Sequence, residues 1–409
     1  MAAIPDFTHN YGNLDTEPVP YFPYYDEEFF KLEVDKVFRR NWLFAARESD
    51  IPTAGDYVVK YFPPLKASLI IARQQDGSIK AFHNVCPHRA NRVEITECGH
   101  KNRFVCSFHG WSFGLDGALK HVPDEAAFFN LDRDQRSLKT VPVDRWMGML
   151  FVNFSPEPVE PLAAWLGELH GAFDGYPLPQ MATMLKIRTE VNANWKMVMD
   201  AFLEGYHVVQ LHGQSAGDAF TSKENPWGHL NSVRLYDKHK SLSMFGNPGQ
   251  TATAAAALEL KYQQMATYAP IQGDRYDQAH GARWSDFPPG VNPDRRDDWA
   301  FDIHLLFPNC SFYTANGWSV TQCYWPVTAE TSIVEATVYA FEPTSIAGYI
   351  GFEHTKAMIF DVALEDLSTV ERAQSNLRSG AFDSMVLSDM EVVVRHSHYV
   401  IRDLLANGA

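Results

Sequence analysis

Two short segments constrain this chain more than anything else in it: Cys86-Pro-His88 and, after seventeen intervening residues, Cys106-Ser-Phe-His109. Each offers one thiolate and one imidazole from a single tight loop. Thiolates are soft ligands for iron–sulfur clusters or zinc, and imidazole suits zinc, copper and iron, so the mixed set points to a metal centre held between two loops. A zinc ribbon commonly clips its metal with closely spaced pairs of like ligands, whereas each loop here supplies one of each kind. The chain has five cysteines, Cys86, Cys98, Cys106, Cys310 and Cys323, an odd number at spacings that suggest no disulfide framework. Cys98 lies between the loops but outside the pattern and reads as an unligated thiol.

A second constellation follows in NANWKMVMDAFLEGYHVVQLHG, which carries Asp200, Glu204, His207 and His212 in an apolar context. On an ideal helix Asp200, Glu204 and His207 share one face, while His212 sits about 140° round from His207. The spacing therefore predicts that the helix bends or ends near 209 if both histidines meet one metal. Two histidines and a carboxylate make a facial triad that leaves positions on iron(II) open.

The rest of the chain says what surrounds these sites. Its 409 residues are too many for one ordinary core and suggest two or three domains, or one domain with a large insertion. With 45% hydrophobic and 21% charged residues the chain reads as globular rather than disordered. A net charge of -15 argues against nucleic acid or an acidic membrane surface as partner. The N-terminus has no basic region followed by an apolar run, and no stretch reaches the roughly 18 apolar residues of a membrane span, so a cytoplasmic location is expected.

Periodicity predicts one amphipathic helix over 25–45, a small all-β module over about 55–155, and helices over 160–230. The segment 250–300, alanine-rich at 252–257 and then rich in Pro, Gly, Asp and Arg, reads as irregular in its latter half. Between 301 and 343 alternating runs predict neighbouring antiparallel strands, followed by a helical C-terminal stretch. His396-Ser-His398 reads as a surface pair, since no cysteine or carboxylate pattern accompanies it. Arg89, Arg92, Lys101 and Arg103 crowd the cysteine loops, where they form either a solvated face or a patch that steers an acidic electron donor.

The pattern CxH, seventeen residues, then CxxHGW resembles the Rieske family, in which two cysteines hold one iron of a 2Fe-2S cluster and two histidines hold the other. The pattern NWK, a carboxylate, then ExYHxxxxH resembles the catalytic domain of Rieske-type non-haem iron ring-hydroxylating oxygenases, the large subunit. Together the likeness spans most of the chain. It implies an α+β fold: an N-terminal helical segment (1–45), an all-β Rieske domain (46–155) and a catalytic domain (156–409) whose antiparallel sheet is covered by helices in a helix-grip-like manner.

For the sites, the resemblance implies a 2Fe-2S cluster on Cys86, His88, Cys106 and His109. It places a mononuclear Fe(II) on His207, His212 and, from EDLSTVERAQSNLRSG, Asp366, with Glu365, Asp361 and Glu371 as rivals for the third ligand. Glu204 and Asp200 are the expected catalytic carboxylates. Glu204 would link His207 to His109 of a neighbouring subunit, because in the family the two sites of one chain are too far apart for fast transfer; hence an expected homotrimer, with a beta subunit left open. One departure is Ala90, where the family usually has glycine, which places the loop beside the cluster in question.

Electrons are expected from NAD(P)H through a separate reductase, with or without a ferredoxin, because the chain has no GxGxxG loop. The implied reaction is hydroxylation of an aromatic or other hydrophobic compound with O2. Phe301, Phe307, Phe312, Tyr313, Trp318 and Tyr324 stand as candidates for an apolar pocket. Many ring hydroxylases have Asp where Glu204 stands, which keeps oxidative demethylation or quaternary-amine oxidation as the alternative. A different class, an electron carrier or a zinc-stabilised binding protein, would leave the second constellation structural.

Overall fold

A computed structural model of the chain describes residues 6–155, 160–213, 215–249, 287–315, 318–343 and 346–407. They divide into two compact units: 38–165, and a discontinuous unit made of 1–37 and 166–409.

Alternating and β-rich runs build the 38–165 unit. Its five-stranded antiparallel sheet runs in the order Thr140–Val141, Ile79–His83, Ala67–Arg73, Asp56–Phe62, Cys98–His100. Asp76-Gly77 turns the chain between two of these strands, with Gly77 at φ 82°, a conformation that glycine adopts without a Cβ penalty. A three-stranded sheet of Arg103–Val105, Ser112–Gly114 and Leu119–His121 carries the second cysteine loop. Tyr57, Ile70, Phe82, Phe104, Trp111 and Phe113 form the shared core, and Cys86 and Cys106 are buried in it.

The other unit is organised on a seven-stranded antiparallel sheet. Its order is Ala182–Val191, Ser332–Ala340, Trp318–Pro326, Cys310–Ala315, Trp299–Leu306, Lys240–Phe245, Ser232–Leu235. The helix Trp195–Ala201 packs against the strand Trp318–Pro326 and the long helix Ile346–Asn376, while Val392–Asn407 packs on the strands Ser232–Leu235 and Lys240–Phe245. On the sheet's other face Phe173 meets His304 and Phe312 edge to face. The strands expected between 301 and 343 and the C-terminal helices are all present.

Three expectations are corrected. The helix expected over 25–45 begins at Glu27, capped by Asp26, widens into a π-helical stretch at Glu33–Phe38, and ends there. The next apolar run, Trp42–Arg47, is a strand because it pairs with Met149–Asn153, and long-range pairing outweighs local periodicity. The helical reading of 160–230 misses the ten-residue strand Ala182–Val191, whose LKIRTEV alternates between exposed and covered faces at one edge of the large sheet. Thirdly, His396 and His398 are buried, not on the surface. The alanine run at 252–257 lies outside the described residues, and among those that are described no helix is long and apolar enough to cross a membrane.

Candidate functional site

The two cysteine loops repeat one backbone design. The N–H of Cys86 donates to the carbonyl of Asn91 at 2.8 Å and that of Ala90 to the carbonyl of Cys86 at 2.9 Å; Cys106 with Trp111 and Gly110 with Cys106 make the same pair of bonds at 2.8 and 2.9 Å. The fifth residue of each loop must therefore be left-handed. Gly110 adopts φ 73° and Ala90 φ 60°, so the alanine keeps the loop its glycine counterpart makes. Its Cβ bears the strain instead.

His88 stacks on Trp111 with ring centroids 5.0 Å apart and meets the His109 ring at 4.6 Å. Burial pushes the Cys86 thiol up to about 11. Burial acts on Cys106 in the same direction, yet the Phe108 amide and the Asn91 side chain hold its thiol below the usual value. His88 Nδ1 is buried without a hydrogen-bond partner. Two buried sulfurs that receive amide donors, beside an imidazole nitrogen with nothing to bind, are a donor set that fits a 2Fe-2S cluster. His109 is exposed, and Arg89 lies over the exposed Phe108 ring at 5.3 Å. Of the four cations near these loops, Lys101 is engaged, bonding both oxygens of the buried Glu94 at 2.6 and 2.7 Å.

The second site forms where the helix Trp195–Ala201 stops. Phe202 and Leu203 close its last turn on the carbonyls of Met199 and Asp200, and Glu204 then folds back so that one carboxylate oxygen accepts the amides of Tyr206 and His207. Gly205 allows a close pass, since a Cβ there would come within 3.2 Å of the Gly228 carbonyl. The break thus lies at 202–207, not near 209. Val208–Leu211 is one helical turn with His207 at its start and His212 at its end.

His207, His212 and Asp366 place one nitrogen or oxygen each within 4.8 Å of one another. Asp366 Oδ1, buried and without a well-aligned hydrogen bond, lies 3.1 Å from His212 Nε2 and 3.6 Å from His207 Nε2. Each imidazole is held from behind by its other nitrogen: His207 Nδ1 by Glu204 at 2.5 Å, His212 Nδ1 by Glu365 at 2.6 Å. Burial opposes charging His212, but Asp366 and Glu365 outweigh it and raise its proton affinity above the usual value. A buried acid oxygen facing two imidazole nitrogens whose tautomers are fixed from outside fits a two-histidine, one-carboxylate iron site.

The rivals for the third position are placed elsewhere. Glu365 sits behind His212, Glu371 accepts the amide of Asn192 at 2.8 Å, and Asp361 is exposed. Asp200 does not join Glu204 and His207. Because the helix ends at Ala201, their common face is lost, and Asp200 instead accepts a hydrogen bond from Tyr24 at 2.7 Å. Sequence reasoning missed Tyr24, and it missed Glu365 as a partner of His212. Only the adjacency of two acids, Glu365-Asp366, hinted at the latter.

Comparison with known proteins accords with this geometry. Residues 41–142 match the model of the Rieske [2Fe-2S] domain, and residues 178–407 that of the ring hydroxylating alpha subunit (catalytic domain). The large oxygenase component of the naphthalene 1,2-dioxygenase system of Pseudomonas putida is 31% identical over 334 residues, 76% of this chain and 68% of the relative. The carnitine monooxygenase oxygenase subunit of Escherichia coli (strain K12) is 33% identical over 193 residues, 46% of this chain and 50% of the relative. Among solved structures, a quaternary ammonium Rieske monooxygenase superposes with a TM-score of 0.72 at 18% identity, covering 95% of both chains. A naphthalene 1,2-dioxygenase variant bound to phenanthrene gives 0.71 at 24% identity, covering 95% of this chain and 92% of the other.

Proposed function

The chain belongs to the Rieske non-haem iron oxygenases, in the ring-hydroxylating alpha-subunit family, and from that premise we propose which residues do the work and on what. As a member it is the terminal oxygenase component of a system with separate electron-transfer proteins, and its cofactors are a 2Fe-2S cluster and a mononuclear iron. Cys86, His88, Cys106 and His109 hold the cluster; His207, His212 and Asp366 hold the iron. The observation that carries this reading is the convergence of three buried or half-buried ligand atoms on one point, with a carboxylate behind each imidazole. When bound, the iron activates dioxygen for insertion into substrate with electrons that the cluster passes to it.

The chain's own residues then have definable tasks. Glu204 and Glu365 accept the Nδ1 protons of His207 and His212, so each ring presents Nε2 inward. Glu204 is also the bridge to a second subunit, its far partner being a neighbouring subunit's His109. The exposure of His109 and of Tyr206 supports that reading, since a handover between subunits needs both ends at a surface. A cyclic homotrimer is the assembly that supplies it.

The substrate is aromatic or otherwise hydrophobic. Cross-strand register puts Met244, Phe301, Ile303, Tyr313 and Val320 on one sheet face, and Asp302, His304 and Thr314 on the other. The Asp366 charge reaches Tyr313, adding to burial in pushing its hydroxyl up, so the apolar face is the one near the iron ligands. Phe312 packs on Phe173 behind the sheet and is core, not pocket. Quaternary-amine oxidation is the second reading, favoured by glutamate at 204 and by the relatives that act on such amines.

The test is O2 uptake and product formation with a reductase and NAD(P)H, across aromatic hydrocarbons and quaternary amines. His207→Ala should keep the cluster spectrum, lose iron and form no product; normal turnover would remove the triad. Glu204→Gln, which keeps a neutral acceptor behind His207, should leave both metals largely in place at saturating Fe(II) and the assembly intact, yet stop oxidation of the pre-reduced cluster in a single turnover. A wild-type rate in that variant, or an active monomer, would remove the bridge.

A further inference from the structure

Beneath the iron-bearing segment lies a buried set of ionisable groups that neither metal site uses. Tyr24, Glu33, Lys196, Asp200, Lys240 and His398 are all less than a tenth exposed. All but Lys240, which bonds Ser397, grip the helix Trp195–Ala201 at its two ends. At its start Asn194 caps the Lys196 amide at 2.9 Å, the Lys196 ammonium meets Glu33 at 2.7 Å, and Trp195 Nε1 donates to the same carboxylate at 3.2 Å. At its end the Asp200 carboxylate accepts from the Tyr24 hydroxyl at 2.7 Å, and His398 Nε2 lies 2.7 Å from that hydroxyl and 3.3 Å from the carboxylate.

The proton arrangement at that end is determined by counting donors. Tyr24 has one hydroxyl proton and gives it to Asp200, so its oxygen is the acceptor for His398, which must carry its proton on Nε2. Asp200 Oδ1 is left buried with no partner. The carboxylate is therefore held through a single oxygen, and the Tyr24 hydroxyl is its main donor.

What this grip controls follows from the chain beyond it. The carbonyl of Asp200 accepts the Leu203 amide at 3.1 Å, which ends the helix. Glu204 comes next, with its carboxylate on the amides of Tyr206 and His207 and on His207 Nδ1. Burial, joined by the charges of Glu204 and Asp200, pushes the Glu391 carboxyl up, so both carboxylates lie within electrostatic reach of one group. Buried polar networks of this kind add little net stability but enforce one geometry, because every alternative leaves a charge or donor unpaired.

We propose that Tyr24, Asp200 and His398 form a positioning array that sets the turn carrying Glu204 and His207, so that the N-terminal segment and the C-terminal helix govern how well the mononuclear site holds iron. The inference rests on the reading that His207, His212 and Asp366 are the iron ligands. A wild-type chain that binds no Fe(II) beyond its cluster would defeat that reading first.

The test uses the full chain with its cluster in place and four variants: Tyr24→Phe, Asp200→Asn, His398→Gln and His398→Leu. Two quantities are read, the Fe(II) dissociation constant of the mononuclear site against a competing chelator, and hydrogen–deuterium exchange of the peptide over 200–213. Tyr24→Phe, which keeps the ring and removes only the hydroxyl, should weaken Fe(II) binding about tenfold and speed exchange in that peptide, leaving cluster absorption unchanged. Asp200→Asn should do the same. His398→Gln, whose amide can donate in place of Nε2–H, should recover most of the affinity that His398→Leu loses. Wild-type Fe(II) affinity and local exchange in Tyr24→Phe would overturn the proposal. So would faster exchange spread evenly over the chain, or an Fe(II) affinity of His398→Gln no better than that of His398→Leu.

Discussion

Replacing Glu365 with alanine, with Asp366 left in place, separates a ligand from the group that orients one. Glu365 holds His212 Nδ1 at 2.6 Å and also accepts the Ser215 hydroxyl at 2.7 Å. A hydrogen bond to a charged acceptor contributes about 1.5–3 kcal/mol. The Glu365 side chain is 32% exposed, so solvent screening places it toward the lower end, about 1.5–2 kcal/mol. Because about 1.4 kcal/mol is tenfold, Glu365→Ala should weaken Fe(II) binding roughly 10- to 30-fold. Glu365→Gln, which keeps an acceptor but loses the charge, should cost roughly half as much in kcal/mol. Asp366→Ala removes one of three inward atoms and should abolish specific binding. The assay is chelator competition, with cluster iron accounted for by acid-labile sulfide. If Glu365→Ala loses iron as completely as Asp366→Ala, Glu365 is itself a ligand and Asp366 is not the inward carboxylate.

Ala90→Gly relieves a Cβ held at φ 60° and should raise the unfolding free energy read from denaturant bleaching of the cluster by about 1 kcal/mol, less glycine's entropic cost; a lower unfolding free energy would mean the methyl packs favourably. Burial holds the Lys240 ammonium down at about 7, against about 10.4 in an unfolded chain, so between those pH values the unfolded state binds more protons and stability rises with pH. Lys240→Met should therefore stabilise the fold at pH 7 by about 2–4 kcal/mol, after loss of the Ser397 bond, and flatten thermal stability between pH 7 and 10; an unchanged slope would assign the pH dependence to other groups. His109→Cys should keep iron–sulfur absorption and lower the potential toward the roughly -400 mV of all-cysteine clusters, and an unchanged potential would remove His109 from the ligand set.

What the sequence disclosed depended on how local the cause was. The cysteine loops were readable because both candidate ligands of each lie within one hydrogen-bonded turn, and the backbone bonds of Cys86 and Cys106 close inside that turn. His207 and His212 were readable as a pair for the same reason. The place of the helix break was not, because it is set by Glu204 folding back on two amides, a choice that periodicity does not register. Asp366 and Glu365 differ by one step of a helix, and only the positions of His212 and Ser215 decide which carboxylate faces inward. His398 looked like a surface residue because its partners, Tyr24 and Asp200, are supplied by distant parts of the chain. The strand Ala182–Val191 hid among helical neighbours for a related reason: its pairing partner, Ser332–Ala340, comes much later.

The discontinuity of the iron-bearing unit has a consequence for biosynthesis. Tyr24 and Glu33 leave the ribosome before 38–165, yet their partners belong to 166–409: Tyr24 is 176 positions from Asp200, and Glu33 is 162 from Trp195. Between them the whole of 38–165 emerges, with every strand of its sheets already present. Because domains fold as units during synthesis, the cluster-bearing unit can fold while Tyr24 and Glu33 are still hydrated and unpaired. A nascent chain would thus be able to take up its iron–sulfur cluster well before it can hold the mononuclear iron, and Tyr24 and Glu33, made before that cluster unit, would find their places after it.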